Sequence, residues 1–117
     1  MPTDQKIDYV EFPAGDFDAV QEFYEKTFGW KFTDFGENYR AFTDGKLDSG
    51  FYKSDKFSST ETGAALIVIY ATDLEKTQKN IIKNGGKIVK ETFSFPGGRR
   101  FHFSDPNGNE LAVWSDK

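Results

Sequence analysis

Asp16-Phe17-Asp18-Ala19-Val20-Gln21-Glu22-Phe23-Tyr24-Glu25-Lys26-Thr27-Phe28-Gly29 reads as one amphipathic helix with both ends marked. Asp16 stands where an N-cap carboxylate accepts a free backbone N–H. Asp18 places a negative charge in the first turn, at the positive end of the helix dipole. Ala19, Val20, Phe23 and Phe28 recur near helical spacing, with Tyr24 beside them. Gly29 falls at the C′ position, where the chain turns left-handed. The grammar returns 57 positions later, where Asp16 lands on Asp73, Phe17 on Leu74, Asp18 on Glu75, Gln21 on Gln78, Lys26 on Lys83 and Gly29 on Gly86. Leu74, Thr77, Ile81 and Ile82 form the apolar face of the second helix, and Gly85-Gly86 close it.

Strand-like runs flank each helix in the same order. Ile7 to Phe12 precedes the first helix and ends at Pro13-Ala14-Gly15. Trp30 to Phe35, Asn38 to Thr43 and Gly50 to Lys53 follow it, separated by turns at Gly36 and Asp44-Gly45. In the second half, Gly63 to Ala71 precedes the helix. Lys87 to Phe95, Arg99 to Ser104 and Glu110 to Trp114 follow, turned by Pro96-Gly97-Gly98 and by Asp105-Pro106-Asn107-Gly108-Asn109. The repeat is too long for a solenoid with two copies and fits a duplicated βαβββ unit. The fold class is therefore α+β, as one domain: module one about 5–54, a polar linker about 55–62, and module two about 63–116. A single sheet with one helix leaves a face uncovered. Two such sheets side by side curl into a half-open, sheet-lined cavity.

Composition narrows the function classes. The 117 residues carry 13 Phe and an aromatic share of 17%, which demands a thick core or a ring-lined cavity. The net charge is −4 with both signs interspersed and no basic run, so a nucleic-acid partner is not expected. No cysteine exists to support disulfide or thiolate chemistry. The longest apolar run, Ala64 to Ala71, is strand-sized, so no membrane partner is expected. The polar start Met1 to Lys6 has no signal-peptide core, and the expected location is the cytoplasm.

Three pieces of the chain resemble one family: Tyr9-Val10-Glu11-Phe12-Pro13-Ala14-Gly15-Asp16, Phe23-Tyr24-Glu25-Lys26-Thr27-Phe28-Gly29-Trp30, and Phe103-Ser104-Asp105-Pro106-Asn107-Gly108-Asn109-Glu110-Leu111. Together with the repeat they resemble the vicinal oxygen chelate superfamily, which includes glyoxalase I, extradiol dioxygenases, and fosfomycin- and bleomycin-resistance proteins. The resemblance spans about Ile7 to Ser115. It implies paired βαβββ modules around a cavity and frequently a homodimer. In metal-dependent members it also implies a divalent ion held by His, Glu or Gln from the first and last strands of the modules. The matching positions here are Tyr9 and Leu66, seven residues before each cap aspartate, and Ala112, seven after Asp105. The fourth strand, Gly50-Phe51-Tyr52-Lys53, offers no His or Glu. With one histidine in the whole chain, a two-histidine site within it is excluded. No metal ligand set and no cofactor are expected. A site improvised from His102, Glu11 and another carboxylate is the exception.

Alternation then sorts the candidate residues. Tyr9, Glu11 and Pro13 share one strand face, expected to be the cavity side. Glu11 reads as a general base or a carboxylate for a cationic group, or else as a carboxylate satisfied by Arg99, Arg100 or backbone amides. His102 reads as a proton-transfer residue or as a structural hydrogen-bonding group. Arg100, on its face, clamps an anion or stays solvated. Glu110, Ala112 and Trp114 share a face of the last strand, where Trp114 stacks on a flat or cationic ligand or serves a dimer contact. Trp30 reads as core. Phe32, Phe35, Tyr39, Phe42, Phe51 and Tyr52 lie on the middle strands of module one, and Phe51 is taken as a ligand contact among them. Three functions fit these residues. One is a small-molecule binder for an aromatic or cationic compound. The second is an enzyme of the same superfamily, lyase, isomerase or dioxygenase, with Glu11 and His102 as acid and base. The third is an interaction module whose cavity is filled by side chains.

Overall fold

Runs of β-branched and aromatic residues beginning at Tyr9 and at Ile67 place a strand ahead of each helix, and the structure, a computed structural model, describes residues 2–117. Module one comprises β1 (Tyr9–Ala14), α1 (Phe17–Phe28), β2 (Lys31–Asp34), β3 (Tyr39–Thr43) and β4 (Asp48–Lys53). Module two comprises β5 (Ile67–Tyr70), α2 (Leu74–Lys83), β6 (Lys87–Phe95), β7 (Gly98–Ser104) and β8 (Glu110–Ser115). The sheets have matching orders, β1-β4-β3-β2 and β5-β8-β7-β6. In each, the first strand runs parallel to the last and the remaining pairs are antiparallel.

Both helices begin as their sequences predict, with Asp16 accepting from Ala19 N and Asp73 from Lys76 N. Their ends differ. Gly29 closes α1 at φ 74. In α2 the left-handed residue is Gly85, φ 102, one place before the repeat equivalent of Gly29. Gly86 serves packing instead. A methyl group there would run into Ile81 and the ring of Phe23, so its missing side chain lets the two helices' neighbourhoods close together.

Pro13 lies inside β1 rather than ending it. An edge strand tolerates proline, because part of its N–H row has no sheet partner. The buried carbonyl of Pro13 is then used: Asn107 Nδ2 and Asn109 Nδ2 donate to it at 3.0 and 2.9 Å. The Asp105–Asn109 turn thereby fastens module two to the edge of module one. Buried Asp105 sits at its centre, accepting from the Tyr24 hydroxyl at 2.8 Å and from the backbone N–H groups of Asn107 and Asn109. Burial pushes the Asp105 carboxyl up, against the hydrogen bonds that favour its charged form. The linker is also fastened. Ser58 N donates to Asn109 Oδ1, and Thr60–Thr62 form one 3₁₀ turn.

One core unites the modules. It takes Phe12 and Ala14 from β1, Phe42 and Phe51 from β3 and β4, Phe101 and Phe103 from β7, Leu111 and Val113 from β8, and the inner faces of both helices. Phe23 of α1 meets Phe103 across the modules at 6.0 Å between ring centres. Each such ring, buried, contributes roughly 1.5–3 kcal/mol. Trp30 stacks at 2° on Tyr24 and on Phe42, packed against this core as its sequence position predicts.

Candidate functional site: two outer sheet faces

Because the inward residues of both sheets meet in one core, the alternate residues of both point away from it. On the first sheet the outer face carries Tyr9, Glu11, Tyr39, Gly50 and Tyr52, placed by the pairings Glu11↔Gly50↔Ala41 and Tyr52↔Tyr39. Tyr39 lies across Gly50, where an added methyl would fall on its ring and hydroxyl. The glycine thus lets the phenol reach Glu11 Oε2, to which it donates at 2.9 Å. Tyr9 Oη stands 2.6 Å from Tyr39 Oη. Since Tyr39 has one proton and spends it on Glu11, Tyr9 is the donor in that contact. Partial burial, then the hydrogen bonds to Tyr9 and Glu11, push the Tyr39 phenol well up, so it stays a donor. Glu11 remains exposed, with one carboxylate oxygen oriented and the other free.

On the second sheet the outer face carries Val68, Tyr70, Arg100, His102, Ala112 and Trp114, in the rows Val68↔Ala112↔His102 and Tyr70↔Trp114↔Arg100. His102 is 4% exposed, and its Nδ1 lies 2.7 Å from Glu110 Oε2. The other oxygen of Glu110 accepts from Thr60 N and Thr60 Oγ1 at 2.9 and 2.8 Å. Burial alone would raise the Glu110 carboxyl, but the His102 and Thr60 hydrogen bonds outweigh it and hold the group below its usual range. The Arg100 guanidinium lies over Phe93 at 5.2 Å and Phe95 at 6.0 Å, and Lys90 Nζ over Phe93 at 4.7 Å. Trp114 meets Tyr70 edge-on at 5.1 Å and Phe95 at 6.3 Å.

Several expected site residues separate here. Glu11 and His102 lie on different faces with the core between them, so they do not share one point within a chain. Glu11 is held by Tyr39 rather than by arginine; Arg99 pairs with Glu75, and Arg100 stacks on rings. Phe51 is a correction. It is wholly buried on the inner face, against Phe12, Tyr24 and Phe42, because its register partners Phe12 and Arg40 put it there. Ala112 is also wholly buried, and acts as the small residue beside His102. The sequence marks no role for Thr60 or Lys90, and places Tyr39 and Glu110 only on strand faces. The alternation that paired Glu110 with Ala112 was the one available signal for Glu110.

The positions matching the family's metal ligands hold Tyr9, Leu66 and Ala112, with the β4 residues Gly50 to Lys53 in the fourth strand. A phenol, two aliphatic side chains and no imidazole or carboxylate do not fit a divalent ion. Among the described residues, no group of three or more His, Asp or Glu side chains could hold one.

A groove of about 950 Å³ runs along the free edge of β5, lined by Val10, Trp30, Phe42, Ile67, Ile69 and Trp114 among others. Among the described residues, no helix is long and apolar enough to cross a membrane.

Comparison with known proteins gives a consistent answer. Residues 6–113 match the model of the Glyoxalase/Bleomycin resistance protein/Dioxygenase superfamily. A glyoxylase-like domain-containing protein of Didymella fabae is 31% identical over 121 aligned positions, spanning 92% of this chain and 91% of its own. Among solved structures, the fosfomycin resistance protein FosX of Mesorhizobium loti superposes with a TM-score of 0.77 at 14% identity, over 97% of this chain and 93% of its own. A glyoxalase-related enzyme of Fulvimarina pelagi gives 0.76 at 14% identity, over 95% and 88%. At such identities the structural likeness establishes the fold.

Proposed function

The chain belongs to the glyoxalase/bleomycin resistance protein/dioxygenase superfamily, and on that premise we propose that it binds a flat aromatic or cationic small molecule between the two kinds of outer face, brought together in a homodimer. The observation that carries this reading is the chemistry of the faces. The first presents an oriented carboxylate framed by Tyr9, Tyr39 and Tyr52, with Tyr9 and Tyr52 each 41% exposed. Phenol rings beside a carboxylate are the recognition set for an organic cation. The second presents Trp114, Tyr70 and Phe95 as a stacking platform beside Arg100. One chain holds these on opposite sides of its core, and a second copy supplies the missing wall. The faces are complementary in charge, which favours their meeting across two copies. The apolar groove beside the unpaired β5 edge gives a second copy a surface to cover.

Tryptophan fluorescence tests the proposal, with bleomycin and ethidium as probes and sedimentation measured in parallel. Quenching that saturates, and that falls about tenfold in affinity in Trp114→Leu or Glu11→Gln, is the expected result. Equal quenching in wild type and both variants, or a monomer at every concentration, overturns it.

Catalysis by Glu11 and His102 is the second reading, favoured by one observation: the Glu110 carboxylate orients the His102 imidazole as it would a general base. In a dimer the base of one copy would face Glu11 of the other.

A further inference from the structure

The outer face of the second sheet holds two cations without an anion. The chain has three arginines, and two of them are spoken for. Arg40 donates to Asp18 and Gln21, and Arg99 to Glu75 and the Lys117 carbonyl. Arg100 stands between Trp114 and Phe93 in one sheet row. Among the described residues it has no ion pair. Its guanidinium lies over Phe93 and Phe95, with Nε sealed and unpartnered, while the unpaired Nη1 and Nη2 reach solvent. Lys90 Nζ shares the Phe93 ring at 4.7 Å and also lacks a carboxylate partner among the described residues. The acids of this face are already engaged, Glu110 by His102 and Thr60, and Asp116 by Tyr70 and Lys117. Glu91, in the register break between Lys90 and Phe93, pairs with neither cation. In a chain of net charge −4 this is a local reversal of sign. A guanidinium held on rings with its terminal donors free is preorganised for a planar anion, which it meets with two parallel hydrogen bonds.

We propose that Arg100 is the anion anchor of the second face and takes the carboxylate of an aryl acid, so that the ligand of the two-face site carries a carboxylate on its flat ring. The carboxylate accepts from Nη1 and Nη2, and Lys90 adds a second positive charge beside it. The ring reaches Trp114, the row neighbour of Arg100. Phe93 and Phe95 are positioning residues: they touch the guanidinium and fix where its fork points. The ring's place on Trp114 rests on the reading above. The anion anchor itself is complete within one chain and needs neither Glu11 nor a dimer.

Paired probes isolate the charge. Calorimetric titration with 2-naphthoate and with 2-naphthamide, its neutral isostere, gives two affinities whose ratio cancels changes in ring stacking or in association. Wild type should prefer the carboxylate at least about tenfold, the scale of a charge-assisted contact. The preference should shrink from low to high salt. Arg100→Gln should abolish it, and Arg100→Lys should keep only part, because the charge stays and the fork is lost. Lys90 is exposed, so Lys90→Gln tests the anchor even where Arg100→Gln disturbs the face, and should lower the preference a few-fold. Equal affinities for the two probes in wild type, a preference that survives Arg100→Gln, or no heat from naphthoate at millimolar concentration would each overturn the anchor. The two-face reading fails separately, when Trp114→Leu binds both probes as wild type does.

Discussion

The two outer faces are built on one register and carry opposite chemistry. Across the first sheet runs the row Glu11–Gly50–Ala41, and across the second runs Val68–Ala112–His102. In both, the middle position is the smallest side chain of the row, and the space it leaves is used. Gly50 admits the Tyr39 phenol that reaches Glu11, and Ala112 sits beside the His102 imidazole. Beyond that the rows diverge. The first face ends in phenols and carboxylates, the second in Arg100, Lys90 and their aromatic rests. The scaffold occurs twice, whereas the ionisable groups differ from one face to the other. A ligand that needs both chemistries needs both faces, and one chain cannot turn them toward each other.

The comparison breaks first if the faces belong to independent folding units. Asn109 donates to Pro13 and Asp105 and accepts from Ser58, tying both modules and the linker at one buried side chain. Asn109→Ala should lower stability by about 3 kcal/mol, since several buried polar groups lose their partner. Urea unfolding followed by Trp fluorescence and by circular dichroism should still show one coincident transition. Two separated transitions would mean the shared core does not couple the faces.

The small central residues sharpen it next. Gly50→Ala forces Tyr39 off its hydrogen bond to Glu11, and overpacking there should cost about 1–3 kcal/mol. Binding of a cationic probe should fall with it, while the Trp114 emission stays as in wild type. Ala112→Gly, the matched change on the other sheet, should cost about 1 kcal/mol and leave the first face untouched. An unchanged Tyr39 environment in Gly50→Ala, read from its ring resonances, would refute the argument. A smaller effect concerns association. Arg100→Gln should weaken the proposed dimer a few-fold at low salt and leave it nearly unaltered at high salt, because screened charges lose their pull. Sedimentation at two ionic strengths decides it.

Much of the scaffold was legible in the sequence for local reasons. Caps are written in single residues, so Asp16, Asp73 and Gly29 announced themselves. Alternation put Tyr9 with Glu11, and His102 with Arg100. Strand register is not local, and the readings that depended on it strayed. Phe51 looks as available for a pocket as Tyr52 until β4 is aligned between β1 and β3, which turns Phe51 inward and Tyr52 outward. In the sequence Tyr39 is one ring among six; what sets it apart is Gly50 beneath it, and that pairing depends on register. Gly85-Gly86 close α2 as the sequence predicts but divide the work: Gly85 takes the positive φ, while Gly86, the repeat equivalent of Gly29, is kept for packing. In the sequence the Asp105–Asn109 turn reads only as a hairpin signal. Its longer role, holding Pro13 and Tyr24 from the other module, has no mark in the local sequence.

Acid titration separates the faces' supports by sign. Glu110 is held below its ordinary value of 4.5, so its contribution to stability is present above that value. It is lost as pH falls through the lower folded value. Asp105 is pushed above its ordinary 3.8 by burial, so its ionised form opposes folding. Its contribution is present below 3.8 and lost as pH rises through the folded value. The two therefore pull stability in opposite directions across the acid range. Glu110→Gln removes one of them and keeps the shape of the side chain. At neutral pH the variant should be less stable than wild type by about 1 kcal/mol. At acid pH, below the lowered folded value of Glu110, the gap should close, because wild-type Glu110 has then lost its charge and the His102 and Thr60 hydrogen bonds lose their charge assistance. Urea midpoints at the two pH values measure it. A gap that stays constant would show that Glu110 serves the second face through its shape alone, and the carboxylate–imidazole pair would lose its claim to orient His102.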